Sequence, residues 1–305
     1  MTKNSSSLES SLASGFDKTV PKEFEELQKF WSKIKRILKN TDDIEEYSKD
    51  LIEYYQNRIN ASCFAFEPII SETPPSEIDR LGDVLRGPLY TCENYEWPLQ
   101  SGYPMVPLIQ LDLARCSSLG EINLGDGLLQ VFMGHEKFMG LDARIRVVPR
   151  REVAIERLLP VPFFDQKIKA FANIDWATQA TDPRESVIPA LQINGYSDPV
   201  FSVHHMAPLD ERTDIEDLVS IGVPLDVIDG FSVAITQCME KYKTSGFHLF
   251  GTFSPIQYEA SERPMPLFCL ESENGFNFGD GNGQVFFEKL KKSGSRIFSF
   301  DWSCF

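Results

Sequence analysis

The spacing of apolar positions changes character along this chain. Phe24, Leu27, Trp31, Ile34 and Leu38 recur every three or four residues with Lys and Glu between them, the pattern of a helix with one apolar face. Asn40-Thr41-Asp42 breaks it, and Asp42 with Glu45 makes a capping-box-like restart. Ile44, Tyr47, Leu51, Tyr54 and Tyr55 then carry a second helix to about Asn60. This predicts a helical hairpin over 19–62 whose apolar stripe needs a support, expected to be the β-body that follows. From Cys63 the pattern becomes short β-like runs punctuated by Pro and Gly. One run is Phe64 to Ile70, ending at Thr73-Pro74-Pro75, and residues 144–150 alternate like a half-exposed strand. Residues 151–245 read as a linking middle section with one good helix, about Val227 to Lys243. That helix carries Phe231, Ala234, Ile235, Cys238, Met239 and Tyr242 on one face, and Gly246 is its expected C′ residue. Phe298, Phe300 and Trp302 alternate in a final strand. Residues 1–18, Ser-rich and aperiodic, read as a disordered lead.

Two of the β-like stretches nearly repeat each other. Pro104-Met105-Val106-Pro107-Leu108-Ile109-Gln110-Leu111 is followed by Gly125-Asp126-Gly127-Leu128-Leu129-Gln130-Val131-Phe132-Met133. Roughly 155 residues later, Pro264-Met265-Pro266-Leu267-Phe268-Cys269-Leu270 is followed by Gly279-Asp280-Gly281-Asn282-Gly283-Gln284-Val285-Phe286-Phe287. Each copy predicts a strand, a Gly-Asp-Gly turn and a strand. The expected fold is therefore α+β: an N-terminal helical hairpin, then a body over 63–305. Within the body, two related antiparallel β-units (about 80–150 and 246–305) are joined by the helical middle section.

Composition adds one unusual feature. The chain has 45 acidic against 30 basic residues, a net charge of −15, which repels nucleic acid and anionic lipid and steers basic partners inward. Its six cysteines, Cys63, Cys92, Cys116, Cys238, Cys269 and Cys304, contain no CxxC pair and predict no disulfide framework. The start lacks a signal-peptide pattern, and no apolar run approaches the ~18 residues of a membrane span, so a soluble, cytoplasmic protein is expected.

Trp97-Pro98, Gly102, Pro104 and the run Pro107-Leu108-Ile109-Gln110-Leu111-Asp112, with the strand Gly127-Leu128-Leu129-Gln130-Val131-Phe132, resemble the YwqG-like bacterial family. Phe250-Gly251 with Pro255-Ile256-Gln257, and Phe278-Gly279-Asp280, continue the likeness. It covers roughly 80–135 and 246–305. Leu270-Glu271-Ser272 departs from the family's second Leu-x-Asp, and Arg86-Gly87 stands where a doubled glycine is usual. The resemblance implies antiparallel sheets in two similar halves. It also implies, from members encoded beside bacterial toxins, an immunity protein that binds and silences an effector.

Candidate chemistry is sparse. Gly279-Asp280-Gly281-Asn282-Gly283 has alternating oxygen ligands like a calcium loop, but it lacks the downstream bidentate Glu, and a tight turn explains it and Gly125-Asp126-Gly127 alike. His204-His205 with Asp210 suggests a metal or acid–base pair, but neighbouring strand residues point to opposite faces. His135-Glu136 lacks the second histidine of a zinc helix, since position 139 is Met139. Cys238 and His248 could form a nucleophile pair, although Cys238 falls on an apolar helix face. Trp97 and Trp302 fit packing better than ligand stacking. No nucleophile elbow, phosphate loop or dinucleotide fingerprint occurs, so neither a metal nor a cofactor is expected.

The densest charge lies between Asp210 and Gly230. Asp210, Glu211, Asp214, Glu216, Asp217, Asp226 and Asp229 stand against Arg212 alone, with Ile215, Leu218, Val219, Ile221 and Val223 between them. Acids at a helix N-terminus are one reading; a docking face for a basic protein is the other. Two function classes follow. The first is a non-enzymatic inhibitor of a basic toxin effector, such as a nuclease, held by these acids. The second is an enzyme or small-ligand binder with a site in the groove between the β-units.

Overall fold

In the computed structural model of the chain, the described residues are 18–39, 46–71, 76–100, 102–133, 143–160, 191–204, 206–210, 214–242, 246–252, 265–271, 282–290 and 293–303. The two N-terminal helices form as their periodicity predicts: α1 (Lys22–Leu38) and α2 (Glu46–Ala61). Phe24, Leu27, Trp31, Ile34 and Leu38 are all buried. Their principal support is not a sheet but another helix, because the longest apolar face available to them is helical. The middle section's α5 (Leu225–Lys241) turns Val227, Ile228, Phe231, Ala234, Ile235 and Cys238 into the same cluster. Trp31 stacks on Phe231 with ring centroids 5.4 Å apart. The β-body meets the same cluster through Phe201, whose ring lies 4.8 Å from that of Phe24, and through Phe64. Glu23 of α1 accepts from Lys241 Nζ at 2.5 Å and from Tyr242 OH at 2.7 Å, closing the far end of the pair. The lead expected over 1–18 lies outside the described residues except for Lys18, whose Nζ donates to the Leu119 carbonyl and pairs with Glu121.

The body is two antiparallel six-stranded sheets. The first runs β2 (Pro68–Ile70), β9 (Leu191–Tyr196), β3 (Val84–Leu85), β6 (Val106–Asp112), β7 (Leu128–Met133) and β8 (Ala143–Val148). The second runs β10 (Val200–Ser202), β1 (Cys63–Phe66), β11 (His248–Phe250), β12 (Met265–Glu271), β13 (Asn282–Lys289) and β14 (Arg296–Ser303). A short hairpin, β4 (Leu99–Gln100) with β5 (Tyr103–Pro104), completes the strands described.

The two sheets repeat each other in detail. β6–β7–β8 and β12–β13–β14 are successive antiparallel neighbours, and the register shift between Pro107 and Ile109 recurs between Pro266 and Phe268. β3 and β11 both lead into a left-handed pair, Arg86-Gly87 (φ 64° and 89°) and Phe250-Gly251 (φ 56° and 84°). The register makes Gln110 the counterpart of Cys269, and Gln130 that of Gln284. The run read as one strand from Phe64 to Ile70 is divided between sheets: β1 lies in the second and β2 in the first. β9 and β10 make the reverse crossing, paired antiparallel to β2 and β1. The segment read as a linker thus supplies a strand to each sheet. Each half has its own leading strand inserted into the other half's sheet.

Alternation sets the core. Leu85, Ile109, Leu111, Leu129, Val131 and Met133 of the first sheet face Leu249, Phe268, Leu270, Val285 and Phe287 of the second. These side chains fill the space between the sheets, where a groove had been expected to hold a ligand. At roughly 25 cal/mol per Å² of apolar surface buried, this layer is the main stabilising contribution of the body.

The Gly-Asp-Gly reading needs adjustment. Gly125-Asp126-Gly127 leads not from strand to strand but from α3 (Leu113–Gly120) into β7. Gly127 (φ +107°) has no room for a side chain, since a Cβ there would sit 2.2 Å from the Val148 carbonyl oxygen. In the second copy, Asn282 and Gly283 already lie in β13, paired with Glu271 and Leu270, while Gly279, Asp280 and Gly281 lie outside the described residues. Gly246 is not the helix C′ residue, because α5 is capped at Tyr242.

Candidate functional site

The acidic segment is divided by the fold. α4 (Asp214–Ser220) begins at Asp214, which is buried and accepts from the Asp210 backbone N–H at 2.9 Å. Asp214 therefore serves the fold, which removes it from any docking surface. Asp210, Glu216, Asp226 and Asp229 are exposed, Asp217 is half-buried, and Glu211 lies outside the described residues. On α5, positions 226, 229 and 233 fall three and four apart and share the face turned away from α1. Three large aliphatics stand exposed among these acids: Val219 (43%), Leu225 (58%) and Val233 (56%). Of the five aliphatics interleaved with the acids, Ile215, Leu218, Ile221 and Val223 pack into the helical core and only Val219 stays exposed for docking. What the structure adds is this second, outward set of aliphatics on the same two helices.

The other sequence candidates are scattered. Cys238 is fully buried in the helical cluster, and burial pushes its thiol up to about 12. His248 is on β11 of the second sheet, so the two do not form a nucleophile pair. His204 is buried beside Ser62, whose hydroxyl accepts from its backbone N–H. His135, Glu136, Met139, His205 and Asp280 lie outside the described residues. Trp97 packs on Phe132 and donates from Nε1 to the Met105 carbonyl at 2.9 Å. Among the described residues, no three of His, Cys, Asp and Glu are grouped to hold a metal ion, and no helix is long and apolar enough to cross a membrane.

Two polar nodes were not evident from sequence. Gln110, the first residue of the Gln-x-Asp run, is buried on the outer face of the first sheet. Its Oε1 accepts from Tyr90 N (2.8 Å) and Gln130 Nε2 (2.7 Å), and its Nε2 donates to the carbonyls of Arg80 (2.9 Å) and Gly82 (2.6 Å). Gln130 also donates to the Tyr90 carbonyl and accepts from Arg146 Nε, both at 2.7 Å. This network fastens the 80–90 loop over the sheet.

The last residue of the run, Asp112, caps α3 through Ala114 N and pairs with Arg150. Beneath it, wholly buried Asp83 accepts from Asp112 N, from Tyr196 OH at 3.2 Å and from Arg115 Nη1 at 3.4 Å. Burial pushes Asp83 up to about 6 despite the Arg115 guanidinium. A perturbed carboxyl can mark catalysis, but this one joins β3, β6, α3 and β9 without exposure to solvent. An open depression of about 520 Å³ is lined by Cys92, Glu93, Asn94, Glu152, Glu156, Arg157 and Leu159. Glu152 is occupied there, accepting from Arg157 Nη1 at 2.6 Å.

No protein-family model matches this chain, and no curated protein matches it.

Proposed function

We propose that the protein is a non-enzymatic, protein-binding inhibitor of immunity type, and that its α4–α5 face docks on a basic effector such as a nuclease. The observation that carries this reading is the mixed surface there: exposed Glu216, Asp226 and Asp229 set among exposed Val219, Leu225 and Val233. Acids alone would suit solubility. Aliphatic side chains among them supply contact area that water disfavours, and the acids select a partner of opposite sign and hasten its approach. A nuclease must present a basic surface to nucleic acid, and a −15 protein is drawn to it. The resemblance of the Trp97-Pro98 and Gln110-x-Asp112 segments to the YwqG-like family points the same way.

The test uses the product of the gene beside this one as the candidate effector. The wild-type protein should bind it and protect cells from it. Replacing Glu216, Asp226 and Asp229 together with Lys should abolish protection while the protein stays folded, at a cost of about 0.3–1 kcal/mol for each of the first-turn acids Glu216 and Asp226. A wild-type protein that neither binds nor protects would overturn the reading, and a fully protective triple variant would remove this face from it.

A further inference from the structure

We propose that two copies of this chain pair through the outer face that α1 and α5 share, with α1 of each copy lying on α5 of the other. The two helices run antiparallel. Glu23 meets Lys241, Trp31 stacks on Phe231, and Phe30 touches Gly230, where a Cβ would lie 2.3 Å from its ring. These contacts set Lys33 level with Asp229, Lys29 with Val233 and Lys22 with Glu240. The helical core takes one side of each helix. What remains outward at spacings of three and four is Lys22, Glu26, Lys29 and Lys33 on α1, and Asp226, Asp229, Val233 and Glu240 on α5.

This face is divided by sign along its length. Glu26, the acid in the α1 row, is taken up by Lys22 at 3.8 Å, which leaves Lys29 and Lys33 against Asp226 and Asp229. Among the described residues none of these four is in an ion pair, and Lys33 lies over the Phe30 ring, 5.0 Å from its centroid. A face with one sign on each of two adjacent helices is self-complementary under a two-fold rotation about an axis parallel to them. The rotation keeps every level, so Lys29 and Lys33 come over Asp226 and Asp229 of the second copy, and the reverse. An axis across the helices sets lysine on lysine and acid on acid, which repulsion opposes. At the centre, Val233, 56% exposed, and the half-buried Phe30 come against Phe30 and Val233 of the second copy. A uniformly basic partner matches the acids here but is repelled by the two lysines. A second copy supplies both signs.

Size sets the strength of the pairing. Each helix has 17 residues, so the shared face is about 25 Å long and about 20 Å wide. Two such faces bury on the order of 1,000 Å² together, near the lower end for specific association. The dimer is accordingly reversible, with a dissociation constant on the order of 1 μM or weaker. Asp226, Asp229 and Val233 also belong to the face proposed above for the effector, so the second copy and the effector exclude each other. That consequence alone rests on the proposed function; the pairing itself rests on the charge layout of α1 and α5.

The experiment is sedimentation equilibrium of the full-length protein over the micromolar range, at low and high salt. The wild-type protein should pass from monomer to dimer with concentration, less readily at high salt. Lys29→Glu with Lys33→Glu, and separately Asp226→Lys with Asp229→Lys, should each weaken the dimer roughly tenfold or more. An equimolar mixture of the two variants should dimerise about as well as wild type, because every lysine then faces an acid at both contacts. Circular dichroism checks that each variant is folded, and the single changes Lys29→Glu and Asp229→Lys replace a double variant that is not. A wild-type protein that stays monomeric at low salt, a folded variant that dimerises as well as wild type, or a mixture that associates no better than its components would each overturn the proposal. The lysine variant keeps Glu216, Asp226 and Asp229, so its effector binding is read independently of the dimer.

Discussion

Gln130 and Gln284 occupy the same place in the two sheets, and their surroundings assign them opposite energetic roles. Gln130 bridges the Tyr90 carbonyl, Gln110 and Arg146, whereas the Gln284 oxygen accepts nothing. Leucine at 130 would leave several buried groups unpaired and should cost about 2 kcal/mol. Leucine at 284 removes an atom already unsatisfied and should stay within about 0.5 kcal/mol of wild type. Urea denaturation of the two variants checks both. Asp83 supports a pH prediction. Its folded pKa, raised from 3.8 to about 6, means that its contribution to stability is fully present below the lower value and lost as pH rises through the upper one. Asp83→Asn keeps an acceptor for Asp112 N and cannot ionise. Its stability relative to wild type should therefore improve between pH 4 and pH 7, by on the order of 2 kcal/mol. Glu23, held down at about 2 by its bonds from Lys241 and Tyr242, acts in the opposite sense and in a lower window. Its contribution is present above its ordinary 4.5 and disappears as pH falls through about 2, so its window meets that of Asp83 only between 3.8 and 4.5.

At the scale of elements, helices and repeats were legible because their signals are local. The stripe from Phe24 to Leu38 and the twin Pro-led runs needed no knowledge of distant residues. The crossing ribbon was not legible. Phe64 to Ile70 reads as one strand, and nothing within it states that Glu67 separates two sheets. For the same reason the Gln110–Gln130 pairing escaped notice, since only β-register sets the two amides side by side. The crossing has a consequence for folding. The first sheet needs β9 between β2 and β3, and the second needs β1 between β10 and β11. A chain cut between Leu159 and Leu191 should therefore give fragments that show no cooperative melting alone, by circular dichroism, and regain it when mixed. A first fragment that melts cooperatively by itself would show that its sheet closes without the inserted strand.

At the scale of the whole molecule, net charge and local face make separable predictions for partner binding. Steering depends on the field of all charges, whereas the lifetime of a complex depends on groups in contact. Replacing Glu216, Asp226 and Asp229 with Lys changes the net charge from −15 to −9, since three reversals add six units. Replacing Glu93, Glu156 and Asp198 with Lys makes the same change at exposed positions away from α4 and α5. Both variants should associate more slowly with a basic effector at low salt. The difference should shrink near 0.15 M salt, where charges more than about 8 Å apart are screened. Only the first variant should also dissociate faster, because it alone places lysines among Val219, Leu225 and Val233 at the contact. Stopped-flow association and surface dissociation rates at two ionic strengths distinguish the cases. Equal dissociation rates for the two variants would mean that the acids of α4 and α5 act only through the overall field, and that the partner is seated elsewhere.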